Sequence, residues 1–151
     1  MYRDHRYTES GLPNVTIHNM KVEIDDEGAE VYELPNILGL HKLIAYAIIT
    51  KKHGLSPAEL RFLRSEMGLT QAELAQIVKL DHQTIGRWER GEHPIDQNAE
   101  FVVRTVAAEM LKIDLKLSFK EMAERCVPSA TVEPIEIDGS DPTEYRLLEA
   151  A

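Results

Sequence analysis

A mainly α protein with a small N-terminal β element is predicted by three features of these 151 residues. First, Ser56, Thr70 and Ser118 are each followed three places later by a glutamate (Glu59, Glu73 and Glu121), the capping-box spacing that marks a helix start. Second, apolar residues after Asn36 (Leu40, Leu43, Ile44, Ala47 and Ile48) recur at helical spacing. Third, residues 15–24 are rich in β-branched side chains with near-alternating polarity, which is a strand pattern.

The elements follow in order. Within 15–24 the alternation shifts phase around Asn19, which predicts a bulge or short break. Asp25-Asp26-Glu27-Gly28 is a turn signal, and residues 29–34 read as the returning strand of a hairpin. A lone hairpin is marginal in water, so it has to pack on something. Asn36 caps the next helix, whose last turn takes in Lys51, Lys52 and His53 before Gly54 ends it. Pro57 then occupies the first position of a helix carrying Leu60 and Leu63 inward and stopping near Gly68. Thr70 opens a helix over 71–78, and Asp81 caps another from His82 to about Arg90, closed by Gly91. Asp96 starts a long helix to about Lys112 with Phe101, Val102, Val106 and Met110 as its apolar stripe. Ser118 begins a short helix to Arg125. Beyond Pro128 the chain reads as extended and acidic. Pro134 limits residues 131–137 to an edge strand, and the segment suits either a strand added at a subunit contact, the favoured reading, or a mobile segment. The expected division is a hairpin-plus-helix module over 1–54, a helical domain over 55–113, and a C-terminal helix and tail over 114–151.

Composition narrows the function. Apolar residues are 43% of the chain, an ordinary globular share. The start, Met1 to Arg6, lacks the apolar stretch of a signal peptide, and the run from Ile37 to Ile49 is too short to span a bilayer. A cytoplasmic protein with no membrane partner is expected. Cys126 is the single cysteine, which rules out an internal disulfide and a cysteine metal cage built by one chain; it reads as an inert packed thiol. No HExxH, GxSxG or glycine-rich phosphate loop is present, so no enzyme and no cofactor is expected. The net charge of −9 is unevenly spread. Residues 1–36 hold 3 basic and 8 acidic side chains and residues 113–151 hold 4 and 9, whereas residues 37–112 hold 10 and 9. Attraction to phosphate acts over a Debye length of roughly 8–10 Å, so a neutral-to-basic centre is compatible with a polyanionic partner despite the acidic ends.

That centre carries the informative string. Two short helices, 71–78 and from His82, are separated by a tight turn, with Ala75 small where they would cross and Ile77, Val78, Leu80, Ile85 and Trp88 between them. This is the helix-turn-helix pattern. "LTQAELA" from Leu69 and "TIGRWERG" from Thr84 resemble the DNA-binding domain of the lambda-repressor/Cro (Xre) family over residues 55–113. The resemblance implies a five-helix DNA-binding domain, here preceded by a β-hairpin and an extra helix, with double-stranded DNA as partner. The family usually has glycine where this chain has Lys79. A left-handed lysine is therefore expected there, at a cost on the order of 1 kcal/mol. The wider stretch from Tyr7 to Leu40 resembles MqsA-type antitoxins, which implies a toxin protein as a possible partner. That group builds its N-terminal module on two CxxC pairs. None occurs here, and His5 and His18 do not replace four thiolates, so no metal is expected.

The resemblance, with helical periodicity, assigns the site. On a helix that begins after Asp81, His82, Gln83 and Arg87 face outward as base readers: glutamine is suited to adenine N6 and N7, arginine to guanine O6 and N7. Gly86 lies between them, where a bare backbone allows close approach. Gln71, Lys79, Thr84 and Arg90 are the expected phosphate contacts, with Lys51, Lys52 and Arg61 as possible extensions. Trp88 is read as core rather than as a stacking platform, and His41 as a satisfied, partly buried histidine. Monomers reading four or five base pairs discriminate poorly, so a homodimer on a palindromic operator is expected, acting as a repressor, or alternatively as an antitoxin that regulates its own operon.

Overall fold

A computed structural model describes residues 1–128 and 131–148; residues 129–130 and 149–151, part of the expected tail, lie outside the described residues. Among the described residues the order is β1 (Tyr2–Arg6), β2 (Val15–Ile24), β3 (Glu30–Tyr32), α1 (Ile37–Ile49), α2 (Pro57–Glu66), α3 (Gln71–Val78), α4 (His82–Glu89), α5 (Gln97–Met110), α6 (Phe119–Arg125), β4 (Ile135–Asp138) and β5 (Arg146–Leu147). The chain forms two compact units, residues 1–44 with 133–151, and residues 45–132.

The first unit is a five-stranded mixed sheet in the order β1-β2-β4-β5, with β3 paired to the far end of β2. The β element is thus larger than the expected hairpin. The hairpin itself is present: β2 and β3 pair antiparallel, and Gly28 turns between them at φ 83°. The C-terminal segment supplies two further strands. β4 runs parallel to β2 with Ile137 opposite Ile17, and β5 pairs antiparallel with β4. The reading of 131–137 as an edge strand or a subunit-contact strand is therefore corrected. Pro134 stands one residue before the strand begins, so its missing N–H costs the ladder nothing. Val15, Ile17, Met20 and Val22 of β2 and Ile135 and Ile137 of β4 are buried, which gives the sheet one apolar face. The hydroxyl of Tyr7 shares a 2.7 Å hydrogen bond with His41 Nε2, so His41 is satisfied as expected.

The phase shift at Asn19 has a physical form. Asn19 is left-handed at φ 60°, and the β1–β2 register slips between Arg3 and His5. Beside this irregularity His18 lies between two carboxylates, Nδ1 at 3.0 Å from Asp4 of β1 and Nε2 at 2.6 Å from Glu136 of β4. Only the imidazolium has a proton for both acceptors. The bonds to Glu136 and Asp4 raise the His18 pKa above 6.5, and the bond from His18 lowers the Asp4 pKa below 3.8. A raised folded-state pKa gives stability that is complete below 6.5 and is lost as pH climbs through the higher folded value. The Asp4 contribution has the opposite sense and is lost as pH falls below its unfolded value. The urea midpoint should therefore fall as pH rises above 6.5, and His18→Gln should remove most of that slope. An unchanged slope in the variant would assign it to another group.

The second unit is helical. Four helices, α2 to α5, lie within residues 55–113, not the five expected; the next, α6, begins only at Phe119. All three capping boxes are formed, with Ser56, Thr70 and Ser118 accepting from the backbone N–H of Glu59, Glu73 and Glu121. The core contains Leu60, Leu63, Leu74, Ile85 and Trp88, with Val103 and Ala107 of α5. The expected stripe of α5 is corrected: Met110 is exposed and Phe101, Val102 and Val106 are half-buried, while the buried line runs through Ala99, Glu100, Val103, Arg104, Ala107 and Ala108. Two charges lie on the inner face because each has partners there. Glu100 and Arg104 form an ion pair at 3.2 Å. Cys126 is also buried; its thiol donates to the Met122 carbonyl, and burial pushes its pKa up to about 12, which suits an unreactive packed thiol.

Lys51 departs from its expected place at a solvated helix end and is not available as an extension of a DNA track. Helix α1 stops at Ile49, and the Lys51 ammonium is buried, donating to Glu59 Oε1 at 2.7 Å and to the Thr131 carbonyl. Glu59 also completes the Ser56 capping box, so one carboxylate serves both. Lys52 and Arg61 are exposed.

Candidate nucleic-acid interface

Helix α3 is opened by Thr70 and closed at Lys79, which adopts φ 62° and ψ 39°, the left-handed conformation expected of it. The N–H groups of Lys79 and Leu80 both return to the Ala75 carbonyl, which ends α3 and reverses the chain. Asp81 then accepts from the Gln83 N–H at 2.9 Å and starts α4. Helix α4 packs on α3 and α2, and α3 packs on α5. Ile85 and Trp88 turn inward, Trp88 with 4% exposure, which makes it core.

The outward side of α4 presents His82, Gln83 and Arg87, all exposed. Gln83 and Arg87 are four residues apart and so share one face. His82 Nδ1 lies 3.5 Å from the capping carboxylate of Asp81. Among the expected phosphate contacts, Lys79 and Arg90 are exposed, and Gln71 and Thr84 are half-buried. Gln71 is at the N-terminus of α3, Thr84 in the first turn of α4, and Arg90 at the C-cap of α4.

Sequence reasoning missed the polar frame behind these side chains. Arg64 of α2 grips Glu89 of α4 with two bonds of 2.6 and 2.9 Å and donates a third to the Leu69 carbonyl. Glu89 in turn accepts from Gln71 Nε2 at 3.2 Å. The carboxylate beside Arg64 raises the guanidinium's already high pKa, which keeps Arg64 charged. A signal was present: Glu89 lies four residues after Ile85 and next to Trp88, and a carboxylate that close to the inner side of a helix demands a partner. On the outer side, Arg90 makes a bidentate pair with Glu92 at 2.9 and 3.2 Å, which lowers the Glu92 pKa.

The charge question also resolves by unit. Residues 45–132 hold 12 basic and 12 acidic side chains, whereas the sheet unit holds 5 and 14 and therefore the whole net charge. The interface thus belongs to a neutral unit.

Two helices joined by a three-residue turn, the second buried on one side and polar on the other, define a helix-turn-helix DNA-binding domain. The comparisons agree: the helix-turn-helix family model matches residues 60–98, which are a domain of the Xre/Cro type and carry DNA binding with them. No curated protein and no solved structure matches the chain. No helix among the described residues is long and apolar enough to cross a membrane.

Proposed function

We propose that this protein is a sequence-specific transcriptional repressor that binds a palindromic operator as a homodimer. The observation that carries the reading is the exposure of His82, Gln83 and Arg87 on the free side of a helix whose other side is held in the core. In this reading Gln83 bridges N6 and N7 of an adenine, Arg87 grips O6 and N7 of a guanine, and His82 adds a weaker base contact. Gln71, Lys79, Thr84 and Arg90 hold phosphates and set the register. One short helix covers only a few base pairs. Two copies reading half-sites roughly 34–36 Å apart supply the missing discrimination.

Footprinting on the DNA upstream of the protein's own gene tests the reading. Arg87→Ala should reduce preference for the protected site by about tenfold or more. Lys79→Ala should weaken specific and non-specific binding alike and flatten the salt dependence by about 0.9 in log–log slope. An upstream region without a protected site at low salt would overturn the proposal.

A second reading, an antitoxin that also represses its operon, is favoured by the charge distribution. The sheet unit, with 5 basic and 14 acidic side chains, is suited to covering a basic protein surface. Co-purification with the product of an adjacent gene as a salt-sensitive complex is expected in that case. If the neighbouring protein passes through separately, the plain repressor remains.

A further inference from the structure

Gly86 sits in the middle of α4, in ordinary right-handed helix; its φ is not among the positive values of the chain. Nothing in its backbone requires glycine, and glycine weakens a helix interior relative to alanine. A side chain there would, however, meet two others. A Cβ at this position would lie 2.9 Å from Arg90 Nη1, closer than such atoms settle, and 3.3 Å from Gln71 Oε1, a tight contact. The guanidinium of Arg90 reaches back over the bare backbone from the end of α4, and the Gln71 amide reaches across from the start of α3. Each is held from its other side. Gln71 is bonded to Glu89, itself gripped by Arg64, and Arg90 is bonded to Glu92. Two side chains from different helices therefore converge on the one residue of α4 that has no side chain.

We infer that Gly86 is a positioning residue: its missing side chain is the seat on which Gln71 and Arg90 are laid down as phosphate-binding groups beside the reading face of α4. This rests on the proposed DNA-binding reading of those two residues. It also assigns the glycine a reason different from close approach of DNA to the helix. An alanine would not stop the chain folding, because both neighbours are the far ends of flexible side chains. They would be lifted instead.

The test compares Gly86→Ala in the wild-type background and in a Gln71→Ala/Arg90→Ala background, measuring melting temperature and affinity for the protein's own promoter across a salt series. In the wild-type background Gly86→Ala should lower promoter affinity by about tenfold and flatten the log–log salt slope by roughly 0.9, the share of the charged Arg90 contact, since displacing the neutral Gln71 amide leaves the slope alone. In the doubly substituted background the same change should leave affinity where it was. It should also raise the melting temperature more than in the wild-type background, since only the helix preference of alanine remains. Equal effects on melting in the two backgrounds would mean that no seat exists. Undiminished affinity of Gly86→Ala, with wild-type protein binding its promoter, overturns the inference and leaves the DNA-binding reading standing. A loss of affinity that persists without the two side chains also overturns it and returns the glycine to a role in groove approach. Failure of the wild-type protein to bind defeats the underlying reading, and the inference with it.

Discussion

Replacing Arg104 with alanine should destabilise the helical unit by about 3–5 kcal/mol, the cost of breaking a buried ion pair at one partner. Arg104 is wholly buried. Its Nη1 donates to the carbonyls of Ile49 and Lys51 at 3.2 and 2.7 Å, and its Nη2 donates to the His53 carbonyl at 2.5 Å and to Glu100 at 3.2 Å. A helix leaves its last carbonyls without intrahelical donors. Here one guanidinium takes the final carbonyl of α1 and two more just beyond it, placing positive charge where the helix dipole favours it. Alanine would strand those carbonyls and leave Glu100, itself buried and holding the Leu55 N–H at 2.8 Å, without its counter-charge. Measured against a typical total stability of roughly 5–15 kcal/mol, that is a large share, and the melting temperature should fall by more than about 10 °C. Adding Glu100→Gln should recover part of the loss by removing the uncompensated charge. Lysine at 104 should rescue poorly, because one ammonium cannot reach acceptors spread over three residues. A loss below about 1 kcal/mol for Arg104→Ala would show that water replaces the guanidinium at these carbonyls.

The same arginine shows where sequence reasoning stops. Helix starts were legible because capping is local: Ser56, Thr70 and Ser118 each find their partner three residues away, and Asp81 finds its own two residues away. The left-handed Lys79 was legible only through the resemblance, which has glycine at that turn. The outward set His82, Gln83 and Arg87 followed from helical periodicity once the start of α4 was known. Arg104 and Glu100 look like solvent-facing charges in sequence, and this misplaced the buried line of α5 onto Phe101, Val102, Val106 and Met110. Arg104 is buried against carbonyls some fifty residues away, and Glu100 against the Leu55 N–H and Arg104 itself. Strand β1 was missed for a related reason. It is an edge strand whose side chains are mostly exposed, so Tyr2–Arg6 carries no apolar alternation. The β2–β4 pairing joins Ile17 to Ile137, a separation over which no local pattern speaks. At the interface, exposure was legible but orientation was not, since Gln71 takes its direction from Glu89, and Glu89 from Arg64 on a third helix.

That three-helix linkage gives the second large effect. Arg64→Ala should cost about 2–4 kcal/mol, and Glu89→Ala should cost less. The asymmetry follows from burial. The Glu89 side chain retains 5% of its exposure and the Arg64 side chain 15%. Truncating Arg64 leaves a nearly buried carboxylate with only the Gln71 amide as a side-chain donor and frees the Leu69 carbonyl as well. Truncating Glu89 leaves a guanidinium whose long stem can turn its charge toward water while keeping contact along its length. Chemical denaturation of the two variants measures the difference directly. Promoter affinity, read well below the melting temperature of either variant, should fall in both, because the Gln71 amide loses its fixed orientation whichever end of the chain of bonds is cut. Equal stability losses, or a larger loss for Glu89→Ala, would show that desolvation of the carboxylate does not set the cost. Affinity unchanged in both variants would show that Gln71 orients itself without the pair.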